Sequence, residues 1–483
     1  MAERSRMAAA AVWDFLAPGY GPHGGHRLLD LQDGVQLLKS PASGLNEQAL
    51  DAVFAPFQQV ARSVRSAVGD QATAATLLAA GLVRRAFDAE DAGLPRPVLL
   101  DGLRMAARQA LASLRAMVRT EQDAGTALAH VTALGQDAVK TTLAGLRSLA
   151  EDRGQLVPLD DVDILVEPVD RPEWAEGTLA RPQHCPDLSG RSDVGVLVVD
   201  GGWRMTPRAS GVQRIIRAPT MLTSSLAEEA AMRNVVLDRL QDLGVGLVVC
   251  GGSVDDGLCQ AARRRGIWVW TDAPKDTRRR LAASTGATSV PDLDHVEGAA
   301  VGRADIRRRP HRRGGWWVNG PAASATLVLP SHLSVMQASV ADDGERLLRA
   351  AGVMLAAPTS VPGGGRWQRQ VAAALRTASV HAPGKNGLVV ELAAEVLDAM
   401  ADLLVQHGGH DPLDERLLPD ADDVLDAAPC VLAAVQAGFD AAITLLRVDG
   451  RYDKRPSTPE GLRGGHGPIG SPKGMPGDVP PLM

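Results

Sequence analysis

The sequence predicts a multidomain α+β and α/β protein, in which an all-α domain assembled from both chain ends is interrupted by an inserted α/β domain. Three observations carry this expectation. The first ~120 residues, and those after residue 343, place apolar side chains at helical spacing. Residues 194–290 instead carry short continuous apolar runs separated by helical segments, as a parallel or mixed sheet requires. The chain has 483 residues, 45% of them hydrophobic, which is too long for one core and suggests about three domains.

In chain order, one insertion breaks the opening helices. "HRLLDLQDGVQLLK" (26–39) sets two apolar runs around Asp33-Gly34, a hairpin signal. "GLRMAARQALASLRAMV" (102–118) and residues 122–152 read as helical, and 155–185 as Pro-rich and irregular. "VGVLVVD" (194–200), "VGLVVC" (245–250) and "IWVWTD" (267–272) are strands buried on both faces. Helices over 226–243, 254–265 and 275–284 alternate with them, the first opened by a Ser225-x-x-Glu228 capping box. "GWWVNG" and "SATLVLP" (315–330) add strands. In "GLVVELAAEVLDAMADLLVQHGG" (387–409), Leu392, Val396, Met400 and Leu403 share a face, and Gly408-Gly409 ends the helix. A helix and a strand over 431–450 precede a Gly/Pro/Met-rich tail expected to be disordered.

Composition narrows the function classes. A net charge of −6 argues against a general nucleic-acid binder, and "RRRPHRR" (307–313) reads as a solvated hairpin tip. Cys185, Cys250, Cys259 and Cys430 have no zinc-type spacing, and neither do His23, His26 and His311. The N-terminal Ala run is too short and too weakly apolar for a signal peptide or membrane helix, so the expectation is a cytoplasmic protein without membrane partners. No Walker motif and no Gly-x-Ser-x-Gly elbow occurs.

Three glycine loops each precede a helix or hairpin: "YGPHGGH" (20–26), "GDQAT" (69–73) and "PGGG" (362–365). Glycine lets backbone N–H groups approach phosphate, and a helix start favours an anion. Each loop alone is equally a turn or a cap, and Asp70 alone is equally a helix cap.

In this order around an α/β insertion, the loops resemble those of the group II chaperonins, the family of the thermosome. There the loops read Leu-Gly-Pro-Lys-Gly, Gly-Asp-Gly-Thr-Thr-Thr and Pro-Gly-Gly-Gly-Ala. "LGVGLVVCGGSVDDGLCQAARRRGIWVW" is similar to the family's apical strand–helix–strand run, "TLLRVDG" (444–450) to its closing strand, and the tail to its cavity-facing tails. The resemblance implies an equatorial domain (1–119 and 361–459), an intermediate domain (120–184 and 325–360), an apical domain (185–324) and a tail (460–483). It implies ATP and Mg²⁺ as ligands. Gly21, Pro22, Gly24, Gly69, Asp70, Thr73, Gly363, Gly364 and Gly365 would line the nucleotide site, with Asp70 facing the metal.

The departures fall where hydrolysis would occur. The family's Asn-Asp-Gly after the hairpin is matched by Lys39-Ser40-Pro41. The place of its second hydrolytic Asp is taken by Ala350 or a neighbour, with Asp342 and Asp343 upstream, and the acid before a Pro becomes Ala428 before Pro429. Losing a positioned acid or base costs ~10²–10⁴-fold, so a degenerate ATPase is expected.

Residues 201–224 occupy the place of the family's built-in lid. Trp203, Met205, Ile215, Ile216, Met221 and Leu222 there are candidate contacts for non-native or partner polypeptides, or else ordinary packing. The leading function is a divergent chaperonin-like protein that binds polypeptide. The alternatives are a non-enzymatic scaffold or assembly factor, and an active folding ATPase. A homo- or hetero-oligomeric ring is implied. Ring closure should be weakened, because the chain enters its first helix around Met7–Phe15 without a leading strand.

Overall fold

The computed structural model describes residues 2–31, 34–38, 42, 54–128, 134–153, 159–180, 190–203, 219–292, 298–309, 315–322, 324–412 and 424–448. The chain opens with helix α1 (Ala2–Leu16) and a one-turn 3₁₀ helix (Ala17–Gly19). A hairpin follows, β1 (Arg27–Leu31) against β2 (Gly34–Leu38). Leu31 stands opposite Gly34, which places Gly34 in β2; Asp33 lies outside the described residues. Next come α2 (Ala55–Val68), α3 (Ala72–Asp91) and α4 (Arg96–Met117).

Helix α3 is buried almost all round through its first three turns, from Ala74 to Val83. Its many alanines let neighbouring helices approach closely, and Leu77, Leu78 and Leu82 each contribute about 1.5–3 kcal/mol by burial. At Gly81 a Cβ would lie 2.6 Å from Val396 and 2.8 Å from Trp13, so only glycine fits.

The chain then leaves this helical body. It passes through β3 (Arg119–Thr120), α5 (Ala124–Leu128), α6 (Gly135–Arg153) and the strands β4 (Val162–Glu167), β5 (Glu173–Glu176) and β6 (Thr178–Ala180). The expectation of an irregular 155–185 is corrected over 162–180 by these three strands; 155–158 and 181–185 lie outside the described residues. The prolines that suggested irregularity, Pro168 and Pro172, fall in the connection between β4 and β5.

The α/β insertion comprises β7 (Arg191–Val199), α7 (Pro219–Asp242), β8 (Val245–Cys250), α8 (Asp256–Arg264), β9 (Trp268–Trp270), α9 (Lys275–Thr285), β10 (Gly302–Arg308) and β11 (Trp316–Asn319). Its sheet runs β6–β11–β10–β7–β8–β9, with β7, β8 and β9 parallel and the other pairs antiparallel. Leu197 and Val199 pack toward α7 and α8, while Val194, Val196 and Val198 pack toward α9. Helices on both faces explain the continuous apolar runs. The capping box expected at Ser225 is corrected: α7 already begins at Pro219, a residue suited to the first helical position, so Ser225 lies inside it. Asp255 instead caps α8, accepting from the N–H groups of Gly257 and Leu258.

The return path is β12 (Ala325–Pro330), α10 (Ser334–Ala356), β13 (Thr359–Pro362), α11 (Arg366–Val380), α12 (Asn386–His407), β14 (Leu425–Ala427) and α13 (Ala428–Leu445). Strand β12 pairs parallel with β4 and antiparallel with β5. Strand β13 sits between β14 and β3. Helices α11, α12 and α13 complete the core begun by α1, α3 and α4. A second core joins α2, α5, α6 and α10 to the β4–β12 sheet.

The strand expected at 444–450 is corrected over its described part. Helix α13 runs to Leu445 and 446–447 form a turn, because Ala442, Leu445 and Leu446 keep a buried helical stripe; residues 449–450 lie outside the described residues. Among the described residues, α13 is the one helix long and apolar enough to cross a membrane, and more than half of it is buried within the protein. The expected disordered tail lies outside the described residues.

Candidate nucleotide cradle

Three loops meet at one end of the helical body. In the first, Tyr20 is buried, and its hydroxyl accepts from Gln368 Nε2 at 3.1 Å. Its carbonyl oxygen accepts from His407 Nδ1 at 2.7 Å. Pro22 is exposed; Gly21 has φ +88°, and a Cβ there would lie 2.3 Å from Leu404. At Gly24 a Cβ would meet the backbone of Gly19 at 2.4 Å.

The second loop lies directly on α10. Gly69 has φ +78°, and a Cβ there would come within 2.4 Å of the Arg346 carbonyl oxygen and 2.9 Å of the Ala350 nitrogen. Gln71, at φ 65°, is the N-cap of α3, and no side chain caps that helix. The cap reading of Asp70 is therefore corrected: its Oδ1 accepts from Arg346 Nη2 at 2.7 Å. Thr73 is half-buried in the first turn of α3.

In the third loop the Gly363 N–H donates to the Val424 carbonyl at 2.8 Å. Gly364 and Gly365 have φ +61° and +88°, and Gly365 is the N-cap of α11. A Cβ on Gly363 would lie 3.1 Å from Asp426 Oδ1, while Asp426 Oδ2 accepts from Trp367 Nε1 at 3.1 Å.

Electrostatics ties the loops together. Burial pushes the Asp426 carboxyl up to about 7; the charge of Asp70 adds to this, and the Trp367 bond opposes it. The Tyr20 hydroxyl is also raised, chiefly by burial and then by Asp426 and Asp70. Cys430 is raised by burial first and by Asp70 next. Burial is thus the main cause at each of these groups, and the Asp70 charge reaches all three.

The residues expected to stand where the family has acids, two hydrolytic places and one near the base pocket, divide. Ala350 is fully buried against the Gly69 turn, and Ala428 is buried at the start of α13. Lys39, Ser40 and Pro41 lie outside the described residues. Asp342 and Asp343 precede the matching position in sequence, yet the helix brings them to the loop. Asp343, 2% exposed, accepts from Arg346 Nη1 at 3.2 Å, and Asp342 pairs with Arg65 of α2.

Sequence reasoning missed Arg346, Asp426 and Gln368. The Asp343-x-x-Arg346 spacing, neighbours on one helix face, was the available signal for the first. The donors do not suit Mg²⁺ as they stand. Magnesium needs free carboxylate or water oxygens, and the one carboxylate expected to face it is bonded to a guanidinium. Among the described residues, no group of three or more His, Cys, Asp or Glu could hold a metal ion.

The expected polypeptide contacts lie elsewhere. Trp203 is packed rather than exposed: it is 6% accessible and bonded through its backbone to Ser253 and Asp255. Met205, Ile215 and Ile216 lie outside the described residues, as do the side chains of Met221 and Leu222, whose backbone belongs to α7. The basic run is not wholly a solvated tip, since Arg309 is buried against Glu167.

The chain matches the TCP-1/cpn60 chaperonin family over residues 16–416. It is 24% identical over 437 residues to thermosome subunit alpha of Halobacterium salinarum, spanning 84% of this chain and 76% of that protein. It is also 24% identical to thermosome subunit 1 of Haloferax volcanii, over 92% of this chain and 87% of that one. Its fold superimposes on the crystal structure of a group III chaperonin in the open state with a TM-score of 0.73 and 19% identity, covering 93% of this chain and 98% of the other. The loop order, the inserted mixed sheet and these likenesses agree: the chain belongs to the TCP-1/cpn60 chaperonin family.

Proposed function

We propose that this protein is a divergent chaperonin subunit that binds non-native or partner polypeptides and has lost most or all of its ATP hydrolysis. In this reading the helical body is the equatorial domain, the β4–β12 sheet with α5, α6 and α10 is intermediate, and the α/β insertion is apical. One observation carries the loss of hydrolysis. The Asp70 carboxylate is held by Arg346, and position 350, pressed against the same loop, is an alanine. Without a positioned acid or base, water activation falls by about 10²–10⁴-fold. The convergent glycine loops support retained binding of a nucleotide phosphate. On the apical side, Met232 and Val235 of α7 are 50% and 68% exposed and offer apolar surface to a polypeptide.

Steady-state phosphate release from ATP tests this reading. The expected result is release at background, unchanged in Asp70→Ala. Robust release that the substitution abolishes would overturn it. The Arg346–Asp70 pair also favours a second reading, a scaffold that kept the fold and left the nucleotide cycle, in a homo- or hetero-oligomeric assembly.

A further inference from the structure

Three arginines fasten α10 to the helices behind the Gly69 turn. Arg65 of α2 pairs with Asp342 and, at 3.1 Å, with Glu345. Arg349 reaches Glu345 at 3.3 Å and donates to the Ser66 carbonyl at 3.2 Å. Arg346 is the innermost. Its two terminal nitrogens divide between Asp70, 2.7 Å away, and Asp343, 3.2 Å away. The side chains are 18%, 13% and 2% exposed in that order, so water screens this group poorly.

The guanidinium holds the carboxylate that a metal would need. A divalent ion at Asp70 would sit beside a fixed positive charge. To displace that charge, the ion would have to strand Arg346 in a half-buried place or lift α10 from the loop. Lifting is opposed by the backbone contact, because Gly69 has no side chain and lies against the Arg346 and Ala350 main chain. The arginine also supplies what a cation supplies at such a loop, namely positive charge facing the anion-binding start of α3. Its ammonium-free planar fork, unlike a metal, needs no displaceable water.

We propose that Arg346 is the resident cation of the 69–73 loop and stands in place of Mg²⁺, so that this loop takes a polyphosphate without a divalent metal. The part concerning phosphate rests on reading the three loops as a nucleotide cradle; the part concerning the metal does not.

The test is a titration of Mn²⁺ alone into the intact protein, followed by electron paramagnetic resonance of the free ion. The expected result is no Asp70-dependent site tighter than about 1 mM in the wild type. Arg346→Gln should gain one site at least about tenfold tighter, and adding Asp70→Asn should remove it. A wild-type Mn²⁺ site abolished by Asp70→Asn would overturn the proposal, as would a folded Arg346→Gln protein that gains no site. Circular dichroism establishes folding of the variant; if it does not fold, the wild-type titration decides alone. A companion measurement follows ADP binding by calorimetry with Mg²⁺ and with EDTA. Affinities within about twofold are expected, and a tenfold loss in EDTA overturns the proposal. Absence of ADP binding under both conditions would refute the cradle reading and leave the Mn²⁺ result standing.

Discussion

Arg309 and Arg346 both pair with carboxylates away from bulk water, in opposite surroundings. Arg309, at the end of β10, pairs with Glu167, at the end of β4; they are 4% and 0% exposed. The Trp317 ring lies 5.5 Å from the guanidinium, and the Glu167 carbonyl accepts from Val169 and Ser331. This is a sealed pin between the six-stranded and three-stranded sheets. Arg346 instead faces two carboxylates, with Asp342, the residue before Asp343 on α10, adding charge, and it keeps some access to water. The difference is one of charge balance. The pin stores charge where nothing else can enter. At the loop, Asp70 and Asp343 share Arg346, while Arg65 and Arg349 hold the acids behind it, so the identity of the cation on Asp70 decides what the loop can do.

The largest expected effect is at the pin. Glu167→Ala strands Arg309 and should cost about 3–5 kcal/mol of stability, read from urea unfolding. A loss below about 1 kcal/mol would mean that the pair is not sealed in solution, and the contrast with Arg346 would collapse.

The next effect in size is at Asp426, in the cradle beside Asp70. The Asp426 carboxyl is raised from 3.8 to about 7, so the folded state prefers it protonated. Its stabilising contribution is full below the unfolded value near 4 and is lost as pH rises through about 7. Asp426→Asn keeps an acceptor for Trp367 without the charge. Its stability advantage over wild type should grow from near zero at pH 4 to about 1–2 kcal/mol at pH 8, the screening of this half-buried group included. Thermal melts across that range check the sign; an advantage that shrinks with pH would show that Asp426 is stabilised as the anion.

The smallest effect is the control. Arg85 and Glu395 lie 3.2 Å apart, about half exposed. Glu395→Ala should change stability by less than about 0.5 kcal/mol in the same unfolding assay. A larger change would show that burial is not what separates these pairs.

The fold was legible wherever burial imposes a period. Val194–Val199 and Val245–Cys250 announced a sheet covered on both faces, and Val396 and Met400 a core-facing helix. It was illegible where long-range pairing overrides local signals. β4 is a strand because β12, about 160 residues later, pairs with it, whatever the neighbouring prolines suggest. Leu445 and Leu446 read equally as the end of a helix or the start of a strand until their burial on the helical body decides. At the cradle the glycine loops were legible as motifs. Arg346 offered only its local spacing to Asp343; its pair with Asp70, 276 positions away, has no local pattern to announce it. Trp203 stayed open between contact and packing, because a large apolar residue amid glycine reads either way until its backbone partners, Ser253 and Asp255, are known.

The three-stranded sheet β14–β13–β3 has a consequence for how the molecule is made. It joins Thr120, Thr359 and Ala427, and α13 closes over α3 immediately afterwards. A ribosome emits about 5–20 residues per second, so helices α1 to α4 emerge roughly 15–60 seconds before the helix that covers them. During that wait the Ala- and Leu-rich surface of α3 lacks its lid, while the α/β insertion, with neighbours close in sequence, completes itself. The nascent chain is thus for a time a finished domain trailing an open one, and apolar surface that aggregates readily is exposed before α13 has been made.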